Sequence, residues 1–289
     1  MQGILKYNEN LKPYTSWRIG GPAEIYYRPK DLNDLMLFLQ SSYVKAPLMW
    51  LGLGSNVLIR DGGVKGTVIH TQGALNSLSI EGNFLRAEAG VSCAKVAKFC
   101  AKHGLQGMEF FAGIPGTIGG ALAMNAGAFG GETWQQVAQV ETINALGHTQ
   151  IKEKSFYKVA YRAVQGLADD EWFVAGYFVL SKNEGENLPH KMRALLKQRN
   201  LAQPIGELSC GSVFRNPLGH SAGKLIELSN LKGMQIGGAM VSKKHANFII
   251  NINNAKARDV EALIAYIINR VWLDSKILLE PEVRILGLE

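Results

Sequence analysis

Only three cysteines occur in the 289 residues, Cys93, Cys100 and Cys210. An odd number, at spacings that fit neither a disulfide framework nor a metal knuckle, excludes a stapled secreted scaffold and suits a reducing compartment. No apolar run approaches the roughly 20 residues that a membrane-spanning helix needs. Met1 to Trp17 lacks a basic start followed by an apolar block, so no secretory signal is expected. Low-complexity tracts and long charge runs are missing as well, which excludes a disordered chain. The histidines show no ligand spacing, and no metal is expected. A soluble, cytoplasmic protein fits all of these absences.

What is there is ordinary globular material, 47% hydrophobic and 19% charged, enough for about two domains or three small ones. The net charge is +7, but Lys and Arg are scattered and never interleave densely with aromatics, so nucleic-acid binding is not expected. Such a charge either draws small polyanions into a cleft or simply keeps the chain soluble.

The first segment reads as β-α-β. A strand at Ala23–Arg28 precedes a helix at Asp31–Leu39 with Asp31 as its cap, and apolar Leu48–Leu51 leads through a glycine turn into a strand at Val57–Arg60. From about Gly66 the pattern changes to a mixed or antiparallel sheet, with strands at Val68–His70, Leu78–Ile80 and Phe84–Ala89. A helix at Cys93–His103 follows, with Gly104 where a C-terminal cap belongs. Further strands are expected at Val137–Asn144 and Trp172–Leu180, and a basic connecting helix at Pro189–Arg199. The last ninety residues read as an α/β unit with helices at Ala222–Leu228 and Ala257–Leu273 and strands at Phe248–Asn253 and Val283–Leu286. Three regions in sequence, α+β overall, are expected.

Two glycine loops carry the first functional signal. Leu51-Gly52-Leu53-Gly54-Ser55-Asn56-Val57 joins two strands and lacks both the third glycine of a dinucleotide fingerprint and the Lys-Ser/Thr pair of a P-loop. Its glycines still let backbone N–H groups approach phosphate oxygens, and Ser55 and Asn56 add side-chain donors; the alternative is a plain tight turn. The second stretch, Gly113-Ile114-Pro115-Gly116-Thr117-Ile118-Gly119-Gly120 and on through Asn125-Ala126-Gly127 to Gly131, packs seven glycines into nineteen residues. Pro115 fixes φ, while Gly116, Gly119 and Gly120 permit conformations closed to other residues. Such density destabilises regular structure, which favours ligand contact over a core turn. As a pair, the loops suit the two ends of a dinucleotide.

Thr15-Ser16-Trp17-Arg18-Ile19-Gly20-Gly21-Pro22-Ala23, the two glycine stretches, Tyr161-Arg162, Gly211-Ser212-Val213-Phe214-Arg215-Asn216-Pro217 and Leu279-Glu280-Pro281-Glu282-Val283-Arg284 together resemble the UDP-N-acetylenolpyruvoylglucosamine reductase family along essentially the whole chain. The resemblance implies a vanillyl-alcohol-oxidase-type FAD-binding fold, two α+β subdomains at 1–65 and 66–188, followed by a C-terminal α/β substrate-binding domain at 189–289. It implies non-covalent FAD, NADPH as co-substrate, and reduction of UDP-N-acetylglucosamine enolpyruvate to UDP-N-acetylmuramate; a monomer is expected. The short interval between Arg162 and Ser212 resembles the branch without the extra loop that carries a clamping tyrosine. Cofactor contacts are expected from Gly52, Gly54, Ser55, Asn56 and Val57, from Gly113 to Thr117, from Gly119 and Gly120, and from Asn125, Ala126 and Gly127.

Reducing a double bond beside a carboxylate requires hydride at the β-carbon, stabilisation of charge on the carboxylate, and a proton at the α-carbon. The flavin supplies the first and the protein the others. By resemblance Ser212 is the proton donor, against the plain reading of a serine after glycine in a turn. Arg162 and Glu282 correspond to the residues that polarise the carboxylate. An arginine does so through two parallel hydrogen bonds, and Glu282 does so only if acidic neighbours raise its pKa and keep it protonated. Ala163 departs from the family, which often has Ser after this Tyr-Arg. Asn216, with Arg215 beside it, is expected at the diphosphate or sugar. Lys224 and Glu227 are further substrate candidates, with a helix-surface ion pair as their ordinary role. His245 either lines the site or is structural. Cys210 with His245 as a thiol nucleophile, a flavin oxidase of another small alcohol or sugar, and a non-catalytic nucleotide-sugar binder are the rival readings.

Overall fold

The computed structural model describes every residue except Leu180, the last residue of one expected strand. The chain divides into two compact units. The first comprises residues 1–7, 25–53 and 66–199, and the second residues 8–24, 54–65 and 200–289.

The first unit carries a four-stranded sheet in the order Ile4–Asn10, Pro22–Arg28, Val64–His70, Leu48–Leu51. It also carries a five-stranded antiparallel sheet in the order Thr149–Glu153, Val137–Asn144, Glu171–Val179, Phe84–Glu88, Leu78–Glu81. The helix Leu32–Leu39 begins where expected, because the Asp31 carboxylate accepts from Asp34 N–H at 2.9 Å. Leu35, Phe38 and Leu39, spaced i, i+3 and i+4, are buried in a core shared with Ile25, Tyr27, Ile69, Ile143 and Val174. Tyr27 stacks on Phe38 with ring centroids 3.7 Å apart and donates its hydroxyl to Asp34 (2.6 Å), so its polar end is satisfied inside the core. A second core lies under the helix Cys93–Lys102, which Ser92 caps by accepting from Lys95 N–H.

In the second unit the helix Ala257–Ser275 buries Val260, Leu263, Ile264, Ile267 and Val271 along one stripe. Each such side chain contributes about 1.5–3 kcal/mol of hydrophobic stabilisation. The stripe packs in a core with Trp17, Leu58, Val213, Phe214, Ile226 and Ile249. Trp17 is wholly buried and donates its indole N–H to Ile249 O at 2.7 Å. A three-stranded antiparallel sheet runs Gln235–Ile236, Ala239–Val241, Ile249–Asn251.

One sequence expectation is corrected here. Leu48–Leu51 pairs in parallel with Val64–His70, while Val57–Ile59 pairs in parallel with Arg284–Leu286. The strands flanking the first glycine loop therefore belong to different sheets: the strands of the strand-helix-strand segment up to Leu51 lie in the four-stranded sheet, whereas the partner of Val57–Ile59 comes from near the far end of the chain.

Candidate active site

In the first unit the glycine-rich stretch is fastened to the strand–helix junction Ala89–Cys93. Ile118 N–H donates to Val91 O and Gly119 N–H to Ala89 O, both at 2.9 Å, and Cys93 N–H donates to Gly116 O at 3.0 Å. Gly116 N–H also closes a tight turn over Pro115 by donating to Ile114 O (3.0 Å). Part of the glycine density has a packing cause. A Cβ on Gly119 would sit 2.9 Å from that of Ala89, and one on Gly113 would collide with the Phe129 ring.

Thr117 is different. It is 2% exposed, its hydroxyl has no hydrogen-bond partner among the described residues, and it does not cap the helix Ile118–Met124 that it precedes. A buried unsatisfied hydroxyl costs about 1–3 kcal/mol. A Cβ on Gly52 would run into this hydroxyl. The two glycine loops thus meet at Gly52 and Thr117, with a hydroxyl to offer and no side chain in the way. A ligand with acceptor oxygens, such as the pyrophosphate of FAD, fits that pair.

His70, which periodicity alone presents as a strand residue, stands behind the first loop opposite Leu51 in the parallel register. It is buried, with Tyr26 Oη 2.7 Å from its Nδ1. Burial pulls its pKa down to about 4 against the pull of a hydrogen bond to the Gly52 backbone, so it is neutral at neutral pH.

Arg162 sits in a two-residue turn between the paired strands Lys158–Ala160 and Ala163–Gln165. Its φ is 56°, a left-handed conformation that costs a non-glycine residue on the order of 1 kcal/mol. The guanidinium reaches the glycine stretch, where Nη1 donates to Asn125 O (3.3 Å) and Nη2 to Gly127 O (3.0 Å). The Tyr161 ring lies under it, 5.1 Å from Cζ.

In the second unit Ser212 precedes a buried pair, Val213 and Phe214, that Asn247 clamps. Val213 N–H donates to Asn247 O (2.8 Å), Phe214 N–H to Asn247 Oδ1 (2.9 Å), and Asn247 Nδ2 to Phe214 O (2.8 Å). Glu282 N–H donates to Val213 O at 2.7 Å, which pairs Glu282 with the residue after Ser212. Asn56 of the first loop joins them. Its Nδ2 donates to Glu282 O (3.2 Å), and its own carbonyl accepts from Arg284 N–H (3.1 Å). Gly54, at φ 67°, lets the loop press on Tyr14 and Thr15, and Ser16 N–H donates to Gly54 O (3.0 Å), which ties the Thr15–Ala23 motif to the same loop.

The remaining sequence candidates fall as follows. Gly52 belongs to the first unit, whereas Gly54, Ser55, Asn56 and Val57 belong to the second. Gly120 has open space about it, the Thr117 hydroxyl 4.0 Å from its Cβ position being its nearest neighbour. Ala126 is buried, with its carbonyl accepting from Thr133. Asn216 Oδ1 accepts from Ala222 N–H (3.0 Å) and so braces the start of the helix Ala222–Leu228. Glu227, 53% exposed, pairs with Lys232 at 2.5 Å rather than with Lys224. His245 Nδ1 accepts from Asn247 N–H (3.2 Å), next to the Ser212 segment. Burial pushes the Cys210 thiol far above its ordinary range, which disposes of it as a nucleophile.

Residues 23–151 match the FAD binding domain family, and residues 203–286 match the family of the UDP-N-acetylenolpyruvoylglucosamine reductase C-terminal domain. A UDP-N-acetylenolpyruvoylglucosamine reductase from Coxiella burnetii (strain Dugway 5J108-111) is 52% identical over 307 residues, 99% of this chain and 97% of that one. The chain belongs to the UDP-N-acetylenolpyruvoylglucosamine reductase family. A family member from Alkalilimnicola ehrlichii is likewise 52% identical, across 99% of this chain and 95% of its own. The crystal structure of the Thermus caldophilus reductase superposes with a TM-score of 0.83 at 31% identity, covering 99% of each chain. The fold is the vanillyl-alcohol-oxidase-type FAD-binding fold, α+β, with the reductase C-terminal domain, as the sequence motifs implied.

Proposed function

We infer that this chain is an FAD-dependent oxidoreductase that uses NADPH to reduce UDP-N-acetylglucosamine enolpyruvate to UDP-N-acetylmuramate, a peptidoglycan precursor. The observation that carries the reading is the 52% identity to reductases of that name over nearly the full length. The meeting of Gly52 with the unsatisfied Thr117 hydroxyl supports a cofactor with acceptor oxygens there. Held by these glycine loops, FAD would supply the hydride chemistry between NADPH and the enolpyruvyl vinyl ether.

The chain's own residues do the rest. Arg162, its plane set by two main-chain carbonyls, holds the substrate carboxylate and stabilises the charge that builds on it. Ser212 gives its hydroxyl proton to the α-carbon and recovers one from water, so that one hydride and one proton add across the double bond. Glu282, whose backbone pairs with Val213 next to Ser212, is assigned to the same substrate carboxylate. Main-chain groups of Gly52 to Val57, of Gly113 to Gly120, and of Ala126 and Gly127 line the cofactor, with Thr117 and Asn56 adding side chains. Asn216, Lys224 and Glu227 are assigned to the nucleotide-sugar end. Residues 1–65 and 66–188 are assigned as two cofactor subdomains and 189–289 as the substrate domain; the separate family matches at 23–151 and 203–286 support a cofactor part followed by a C-terminal part. In this reading the chain works as a monomer in the cytoplasm. Among the described residues no helix is long and apolar enough to cross a membrane.

The test is steady-state turnover by FAD-reconstituted protein. NADPH oxidation should depend on both FAD and the enolpyruvyl nucleotide sugar and yield the lactyl ether product. NADPH oxidation that ignores that substrate and responds to another alcohol or sugar would replace the reading with that of a different flavoenzyme.

A further inference from the structure

Asn125 is wholly buried and terminates the helix Ile118–Met124 in a left-handed conformation, φ 47°, which asparagine tolerates better than most residues. Its side chain is committed to the protein. Nδ2 donates to Glu132 Oε2 (2.9 Å) and to Ala160 O (3.1 Å), and Oδ1 accepts from Trp134 N–H (3.1 Å). A carboxamide has two N–H donors, and both have partners here. Ala160 is the residue that opens the Tyr161–Arg162 turn, and the Asn125 carbonyl itself accepts from Arg162 Nη1. The same residue therefore holds both ends of the arginine, the backbone through Ala160 and the guanidinium through its own main chain.

We propose that Asn125 is a positioning residue for Arg162: its carboxamide clips the arginine turn to the glycine stretch, so that the guanidinium meets the substrate carboxylate already oriented. A turn that carries a left-handed arginine needs such a restraint, because the free hairpin would relax toward ordinary φ and swing the guanidinium away. A planar fork also loses most of its advantage when its plane is not fixed. The proposal rests on the reductase reading, in which Arg162 serves only the step that uses the enolpyruvyl substrate.

The experiment uses Asn125→Gly, which keeps the left-handed backbone and removes the clip. In anaerobic stopped flow the variant should keep its FAD and be reduced by NADPH at close to the native rate, while reoxidation by the enolpyruvyl nucleotide sugar slows roughly 10- to 100-fold, as expected for misplacement on the order of 1 Å. In an Arg162→Ala background the same change should slow reoxidation less than about threefold further, because a residue that acts through Arg162 has nothing left to position. Loss of FAD, equal slowing of both half-reactions, unchanged reoxidation, or a full multiplicative effect in the Arg162→Ala background would each overturn the proposal. If Asn125→Gly yields too little folded protein, Asn125→Ser carries the same expectations. Failure of the underlying reading looks different, since Arg162→Ala alone would then leave reoxidation untouched.

Discussion

Two regions place functional side chains by different means. Around the glycine stretch, main-chain carbonyls orient a charged side chain, with Asn125 O and Gly127 O fixing the guanidinium of Arg162. Around Ser212 the order is reversed. A buried side-chain amide, Asn247, grips the main chain of Val213 and Phe214, and the serine follows from that grip. The first arrangement suits a group that must hold an anion, because neutral carbonyls orient the cation without neutralising it. The second suits a small hydroxyl with one rotatable bond, for which the backbone position decides the reach.

The largest way to break this comparison is chemical. Ser212→Ala leaves the Asn247 grip intact and removes only the hydroxyl proposed as proton donor. Reoxidation of reduced enzyme by substrate should fall on the order of 10²- to 10⁴-fold while NADPH still reduces the flavin. Removing the grip itself comes next. Asn247→Ala leaves Phe214 N–H and C=O buried without partners and should cost about 2–4 kcal/mol in urea unfolding, with activity lost along with the fold.

His70 sharpens the comparison from the loop side. In the unfolded chain a histidine titrates near 6.5, whereas burial holds His70 neutral down to about 4. Between those values the unfolded state binds the extra proton, so stability falls as pH drops, by about 2 kcal/mol from pH 6.5 to 5. His70→Gln should flatten that part of the curve, as unfolding midpoints of both proteins across pH 7 to 5 will show. The smallest effect is at Thr117. Thr117→Val removes the unsatisfied hydroxyl and should raise the stability of FAD-free protein by about 1 kcal/mol while weakening FAD about tenfold, as read by flavin titration.

Much of this was legible in the residues. Asp31 marked a helix start because its side chain accepts the first free N–H groups, whereas the same role of Ser92 and Ser221 emerged only from the structure. Glycine density marked the stretch proposed to line the cofactor, since removing Cβ is the one way for backbone to approach a ligand or another strand closely. The motifs around Arg162, Ser212 and Glu282 pointed to one chemistry. What stayed hidden were long-range pairings. Asn247 sits in an unremarkable run, and nothing local says that it will grip Val213 and Phe214. The partner of Val57–Ile59 lies near the end of the chain, and hydrophobic spacing carries no register between distant strands. Asn125 read as a cofactor contact, and nothing local announces that its carboxamide also bonds to Glu132, Ala160 and Trp134. Lys224 and Glu227 read as substrate candidates with a helix-surface ion pair as their ordinary alternative, and Glu227 instead pairs with Lys232 beyond the helix end.

The most direct test of the central claim is an anaerobic two-step titration of the FAD-loaded protein. NADPH should bleach the yellow absorbance, and one equivalent of UDP-N-acetylglucosamine enolpyruvate should then restore it with release of UDP-N-acetylmuramate. A protein that bleaches with NADPH and stays bleached after that addition would contradict the account.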